Sequence, residues 1–338
     1  MKKAKLYYVN ILLVVILGLL LIINLGLRYQ NKEQDKLVWD ANIYSSNENN
    51  LLENSNIIKI VEAVLYNSFN QSTKTLNYES LQETSGITSE DNENQILFDT
   101  WQEELLPDSI NLKYFSVDER KFYLLSTKLP YEKIKNLTQK TNFKPTLTFE
   151  ILPKGKSILK IFTEENQNQS HRIIEIFTAK ETVGNIEMLV FKKSLEGKYN
   201  DYDNIGNITD FSDLLQNQYK WVFKAETDSN DQLKEVSAYS YSEQSINFLE
   251  KTKDFLPIPR RFYIKWGNKQ EYGIQYYFNP IEILNAFRTL HNIESSEPII
   301  INFKLFEDKN PQCEISKGGK SIILYDLYPE EKPIKYAR

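Results

Sequence analysis

Few side chains in this sequence stand at spacings that chemistry needs, and each such set has a plainer reading beside it. Gly155-Lys156-Ser157 and Gly319-Lys320-Ser321 match the end of a phosphate-binding loop. The whole pattern asks for another glycine five positions before the Gly-Lys pair, where this chain has Glu150 and Glu314. Strand-like residues follow both, so no helix N-terminus would face a phosphate, and both read as hairpin turns. His171 and His291 are far apart in the chain, with no further ligands at short spacing, so no metal and no other cofactor is expected. The single cysteine, Cys313, excludes an intramolecular disulfide framework and has no assignable charge partner to activate a thiolate. Asp201-Tyr202-Asp203 places two carboxylates in an aromatic-flanked loop, as a sugar hydrolase would; solvent-exposed turns and weak cation sites share that composition. No Gly-x-Ser-x-Gly elbow offers a serine nucleophile. No catalytic residue is assigned, and the balance leans away from an enzyme.

The residues best suited to binding are Arg261, Tyr263 and Lys265, with Asp201, Tyr202 and Asp203 as a second set. Arg261, Tyr263 and Lys265 alternate with Phe262, Ile264 and Trp266, the period of a strand with one buried face. Trp266 shares the apolar parity and belongs to the core; the other three face out. Trp101, Trp221 and Trp266, with many tyrosines, suit a recognition face and suit a β core equally well. Gly267-Asn268 marks a turn, and Tyr272, Ile274, Tyr276 and Phe278 resume the alternation as a second strand. Asn279-Pro280-Ile281-Glu282 then starts a helix, with Asn279 as N-cap, Pro280 in the first turn and Glu282 reaching back to the cap. Ile283, Leu284, Phe287 and Leu290 mark its apolar face. An ungapped shift of 150 positions lays a weaker copy, from Leu105 to Leu137, on this unit: Leu112 on Phe262, Tyr114 on Ile264, Phe122 on Tyr272, Leu124 on Ile274 and Pro130 on Pro280. A duplicated β-β-α unit accounts for the match; the plain alternative is that any hairpin followed by a helix looks alike.

The remainder predicts an α+β chain, an N-terminal transmembrane helix followed by a mostly antiparallel, β-rich domain with few helices. Its expected divisions are 1–27 (cytoplasmic tail and anchor), 28–95 (juxtamembrane linker with one amphipathic helix at 57–69), 96–195 and 196–330 (two β-rich halves) and 331–338 (tail). The helix at 57–69 rests on Ile57, Ile60, Val61, Val64, Leu65 and Phe69. Thr146–Leu152 and Ser157–Thr163 read as a hairpin, as do Tyr219–Glu226 and Lys234–Tyr241. Arg172–Thr178, Ile186–Lys192, Ile299–Phe306 and Ser321–Leu327 read as strands, Gly197–Asp213 as a long loop, and Pro329–Arg338 as a loose end.

Val9 to Leu27 is uncharged. Nineteen helical residues rise about 28 Å, enough to cross a hydrocarbon core. No small-x-small cleavage site follows, and no lipid-anchor cysteine is present, so an uncleaved single-pass anchor is expected. Lys2, Lys3 and Lys5 favour an N-terminus in the cytoplasm, with the main domain outside it. The net charge is −5, and beyond the anchor 38 basic residues face 46 acidic ones, which argues against nucleic acid as a partner. The expected partners are the membrane, through residues 9–27, and a protein of the envelope.

Leu106-Pro107-Asp108-Ser109-Ile110, Lys121-Phe122-Tyr123, Leu129-Pro130-Tyr131-Glu132-Lys133-Ile134, Tyr219-Lys220-Trp221 and Leu256-Pro257-Ile258-Pro259 resemble an uncharacterised bacterial envelope family, domain-of-unknown-function family 2931, over the stretch from Trp101 to Phe306. The resemblance implies an envelope protein and brings no catalytic residues. Members often resemble lipoproteins at the N-terminus, where this chain has a helix instead. Three functional classes follow: a non-enzymatic binding protein, for example of the immunity type; a membrane-tethered hydrolase of envelope carbohydrate or peptide, which would need a cleft with two converging carboxylates; and a scaffold subunit using 57–69 as its contact.

Overall fold

The computed structural model describes residues 2–33, 36–46, 56–75, 86–88, 96–100, 102–138, 144–165, 168–190, 205–227, 231–246, 255–328 and 332–336. After helix α1 (Lys2–Glu33) the first half contains β1 (Asp40–Ser45), β2 (Ile58–Asn67), β3 (Ser109–Ser116), β4 (Lys121–Lys128), α2 (Tyr131–Thr138), β5 (Thr146–Ile151), β6 (Lys156–Glu165), β7 (Asn168–Thr178) and β8 (Lys180–Thr182). Helix α3 (Ile208–Gln216) leads into the second half: β9 (Trp221–Thr227), β10 (Leu233–Ser240), β11 (Pro259–Trp266), β12 (Glu271–Phe278), α4 (Pro280–His291), β13 (Ile299–Leu305), β14 (Gln312–Lys317), β15 (Lys320–Leu324) and β16 (Ile334–Tyr336).

Both halves follow one plan. One sheet has the order β7-β6-β5-β1 in the first half and β15-β14-β13-β9 in the second. The other has β8-β4-β3-β2 and β16-β12-β11-β10. In each half the first strand pairs parallel with the strand that follows the helix, β1 with β5 and β9 with β13, and the other pairs among these strands are antiparallel. Short edge strands extend the sheets, Ile96–Asp99 on β1 and Ser72–Thr75 on β2 among them. Inner faces of the two sheets share one buried cluster, with Ala41, Phe149 and Leu159 from one and Ile60, Leu112 and Leu125 from the other in the first half. The chain is thus β-rich and mostly antiparallel, with few helices. The two β-β-α units are strand for strand where the spacing places them: β3 and β4 fall on β11 and β12 at an interval of 150 residues.

That interval holds for side-chain direction on β3 and β11 only. Phe115 pairs with Phe122, whereas Lys265, its counterpart, pairs with Gly273. The second hairpin turn is one residue longer, and one residue reverses every side chain on the strand that follows. Tyr123 and Leu125, rather than Phe122 and Leu124, therefore answer to the inward-facing Ile274 and Tyr276. The corrected register exposes an exchange. A Cβ on Gly184, two residues beyond the partner of Phe122, would lie 2.5 Å from the Phe122 ring. A Cβ on Gly273 would lie 2.5 Å from the ring of Tyr336, which is two residues beyond the partner of Gly273. Each half fills the same place with one ring and one glycine, contributed by opposite strands.

Several expectations are corrected. Residues 57–69 are not an amphipathic helix: Ile58–Asn67 is strand β2, and 28–95, read as linker, supplies β1, β2 and the short edge strands Ser72–Thr75 and Ile87–Thr88 to the first sandwich. A β-bulge between Ile60 and Glu62 shifts the buried parity from Ile58 and Ile60 to Ala63 and Leu65. A bulge inserts one residue, so a period of two acquires a step of three that imitates a helical stripe. Ile186–Met188 is a turn of 3-10 helix rather than strand. Within 197–213 the structure has α3, capped by Asn207, whose Oδ1 accepts from the Asp210 N–H at 2.8 Å. β9 and β10 are adjacent in the chain yet belong to different sheets, so they form no hairpin. The tail includes a strand, β16, paired with β12. Asn279 caps α4 as expected, accepting from Ile281 and Glu282, but Glu282 holds the backbone N–H groups of Tyr325 and Asp326 instead of the cap.

The halves meet through the outer face of the β4-β3-β2 sheet. Phe115 and Phe122 lie there, 4.9 Å apart, and Phe211 of α3 sits 6.1 Å from Phe115. Ile57, Phe115, Val117 and Phe122 belong to the same buried cluster as Phe211, Leu214 and Phe287. Around this apolar contact Arg120 binds Asp213 at 2.7 Å, and Arg288 of α4 binds both Asp210 and Asp213.

Helix α1 occupies the expected place. Its described side chains, Ile11 to Leu27, are all exposed. Among the described residues no helix is long and apolar enough to cross a membrane.

Gly184→Ala, which would drive a methyl into the Phe122 ring, is expected to cost about 1–3 kcal/mol. Gly206→Ala, with nothing within 4 Å of the new methyl, should stay within about 0.5 kcal/mol of the parent. Urea unfolding of the two variants checks the contrast.

Candidate functional site

The outer face of the β12-β11-β10 sheet is the counterpart of the face that joins the two halves, and it carries three of the six residues singled out by sequence. Arg261, Tyr263 and Lys265 all point outward from β11 and are half-buried, while Phe262, Ile264 and Trp266 point into the core. Asp201, Tyr202 and Asp203 lie outside the described residues, as does Trp101.

Register builds three rows across the sheet: Tyr239–Arg261–Tyr277, Ser237–Tyr263–Gln275 and Glu235–Lys265–Gly273. In the first row the Arg261 guanidinium carbon is 4.4 Å from the Tyr239 ring centre and 5.9 Å from that of Tyr277. Its Nη1 donates to the Tyr277 hydroxyl at 3.4 Å. Among the described residues no carboxylate forms an ion pair with it; the adjacent Arg260 is the one that binds Glu243. In the second row the Tyr263 and Tyr336 hydroxyls are 3.1 Å apart. That hydrogen bond, with partial burial, pushes the Tyr263 phenol up to about 12. In the third row Lys265 binds Glu271 at 3.0 Å and lies 4.9 Å from the Tyr336 ring centre, and Lys234 binds the other oxygen of Glu271 at 2.7 Å. Hydrogen bonds from Lys234 and Lys265 hold the Glu271 carboxyl down to about 2.

The same positions in the first sandwich read differently: Val64–Asn111–Ser126, Glu62–Lys113–Leu124 and Lys59–Phe115–Phe122. There the third row is buried against α3 and the second half, and burial pulls the Lys59 ammonium well below the usual lysine range. In the second sandwich Lys265 replaces Phe115 and the face stays accessible.

Tyr239, Tyr277, Tyr336, Gly273 and Glu271 were not singled out by sequence. Tyr277 was within reach, because strand alternation puts it on the outward side with Gln275. Tyr336 was not, because its place depends on pairing between β16 and β12 over a long sequence separation.

The chemistry-bearing candidates elsewhere are structural. Gly155 and Gly319 both have positive φ at turns, 75° and 78°, the first between β5 and β6 and the second between β14 and β15. His171 packs 5.1 Å from the Phe162 ring and His291 5.3 Å from Tyr219. Cys313 is buried beside a cavity of about 350 Å³ that Tyr276, Asn302 and Glu314 also line, and burial pushes its thiol well above the usual range, away from thiolate chemistry. Among the described residues no three His, Cys, Asp or Glu side chains converge as metal ligands.

No family model, no curated protein and no solved structure matches this chain.

Tyr336→Phe is expected to bring the Tyr263 pKa from about 12 back toward its ordinary 10.0. In the parent, the stabilisation from the Tyr263 hydrogen bond is present below pH 10.0 and lost as the pH rises through about 12. A pH titration of the tyrosine ring-carbon NMR signals, with Tyr263→Phe used for assignment, reads both.

Proposed function

We propose that this chain is a single-pass, membrane-anchored envelope protein that binds another macromolecule and performs no chemistry on it. One observation carries the binding half of the reading. The two sandwiches share a plan; the face that joins them is covered in the first and is an accessible tyrosine and cation surface in the second. Tyrosine and arginine are the side chains that dominate binding energy at interfaces. Stacking against Tyr239 fixes Arg261 before any partner arrives, which lowers the ordering cost of association. A toxin-capping, immunity-type role is one concrete form. The envelope placement rests on the anchor and its orientation alone, since no family model matches the chain.

The anchoring half rests on the uncharged run Val9–Leu27 within α1, whose described side chains find no cover in the protein. A bilayer is the solvent in which such a surface is stable. The lysines ahead of it set the N-terminus in the cytoplasm and the sandwiches on the other side.

The full-length protein should stay with the membrane through alkaline carbonate washing, and residues 36–338 alone should not. In-cell crosslinking followed by pull-down and mass spectrometry should recover one stoichiometric partner. Arg261→Ala combined with Tyr263→Ala should lose that partner with the melting temperature unchanged within a few degrees. A partner retained by this double variant would move the interface elsewhere.

A further inference from the structure

We infer that the open face of the second sandwich takes an acidic protein segment, with one of its carboxylates seated on the Arg261 guanidinium. The inference rests on the binding reading above and adds the chemistry of the partner.

The first argument is electrostatic. Among the described residues, the cations Lys234, Lys265 and Arg261 stand on this face against the carboxylates Glu235 and Glu271. Glu271 is engaged by both lysines, and Arg261 contacts only tyrosines. An arginine stacked on an aromatic ring keeps its edge donors available, and apart from the long Nη1 hydrogen bond to Tyr277 those of Arg261 form a planar fork that matches a carboxylate. The stack costs the guanidinium little of its charge, because a ring face is a weak partner beside an anion.

The second argument is a precedent within the molecule. The corresponding face of the first sandwich already docks an acidic helix. Helix α3 reads ITDFSDLLQ; it lays Phe211 on Phe115 and delivers Asp213 to Arg120, on the turn between β3 and β4. The plan of the sandwich therefore accommodates an acidic segment on this sheet surface, with an aromatic contact and an arginine–carboxylate pair fixing it. In the second sandwich both kinds of group are present on the open rows, Arg261 for the carboxylate and Tyr239, Tyr263 and Tyr277 for the apolar contact, and each keeps part of its surface exposed.

The test uses the full-length protein in nanodiscs of zwitterionic lipid, with a fluorescein-labelled deca-glutamate peptide as probe and anisotropy as readout. Saturable binding is expected that weakens as salt is raised toward ~0.15 M, with deca-glutamine not binding. Arg261→Gln should weaken it about tenfold or more, and Arg261→Lys should recover only part of the loss because an ammonium lacks the fork. Lys224→Gln, an exposed cation on the other sheet, should leave it unchanged. Equal binding by Arg261→Gln, or by deca-glutamine, overturns the inference. If the probe does not bind while the in-cell partner is still lost on substituting Arg261 and Tyr263, the acidic segment is wrong and the binding reading stands. If neither binds, both fall. Arg261-dependent binding to phosphatidylglycerol vesicles without peptide binding would assign the face to the membrane surface and likewise overturn it.

Discussion

Phe115 and Phe122 point away from the core of their own sandwich, and the arrangement of the protein depends on covering them. A sheet has two faces, and a two-sheet sandwich buries only the inner ones. Two phenylalanines on an outer face would leave a large apolar patch in water unless something packed on it. Here Phe211 and α3 do so, and the Arg120–Asp213–Arg288 cluster closes the rim. The apolar contact supplies the driving force. The ion pairs are partly solvent-exposed and serve orientation more than stability. Because α3 is held by both sandwiches, the second is presented in a defined attitude with its own equivalent face turned outward.

That second face shows how one plan yields two uses. Where the first sandwich has the Phe122 ring over Gly184, the second has Gly273 under the Tyr336 ring. The volume at this position is kept, but its chemistry changes from a hydrocarbon ring to one with a hydroxyl that reaches Tyr263. Lys265 in place of Phe115 removes the apolar patch. Arg261 and its two flanking tyrosines replace Asn111, Val64 and Ser126. A surface that joins two parts of one chain in the first sandwich has the composition of a surface for another molecule in the second.

Much of this was legible from local pattern. The strands around Arg261, the inward direction of Trp266, the Asn279 cap and the 150-residue interval follow from periodicity and turn chemistry, which are properties of a few adjacent residues. The errors came where the local pattern was interrupted or where pairing is distant. One bulge in β2 turned a period of two into a helical imitation. One extra residue in the turn before β12 reversed the side chains that the ungapped interval had matched. Helix α3 was missed although Asn207 and Asp210 had the spacing of a cap and Phe211, Leu214 and Leu215 that of a buried stripe. In the candidate site, Arg261, Tyr263 and Lys265 were legible because alternation alone puts them outside. Tyr239 and Tyr336, which give Arg261 and Tyr263 their surroundings, come from other strands, and no sequence spacing announces which strands will be neighbours.

The most direct measurement is site-specific photo-crosslinking in living cells, with a benzophenone amino acid at Gln275, at the centre of the open face, and at Lys224, on the outer face of the other sheet. The account predicts one discrete crosslinked product from position 275 and none from position 224. Products of equal yield from both positions, or none from 275 in a protein shown to be folded and in the membrane, would contradict it.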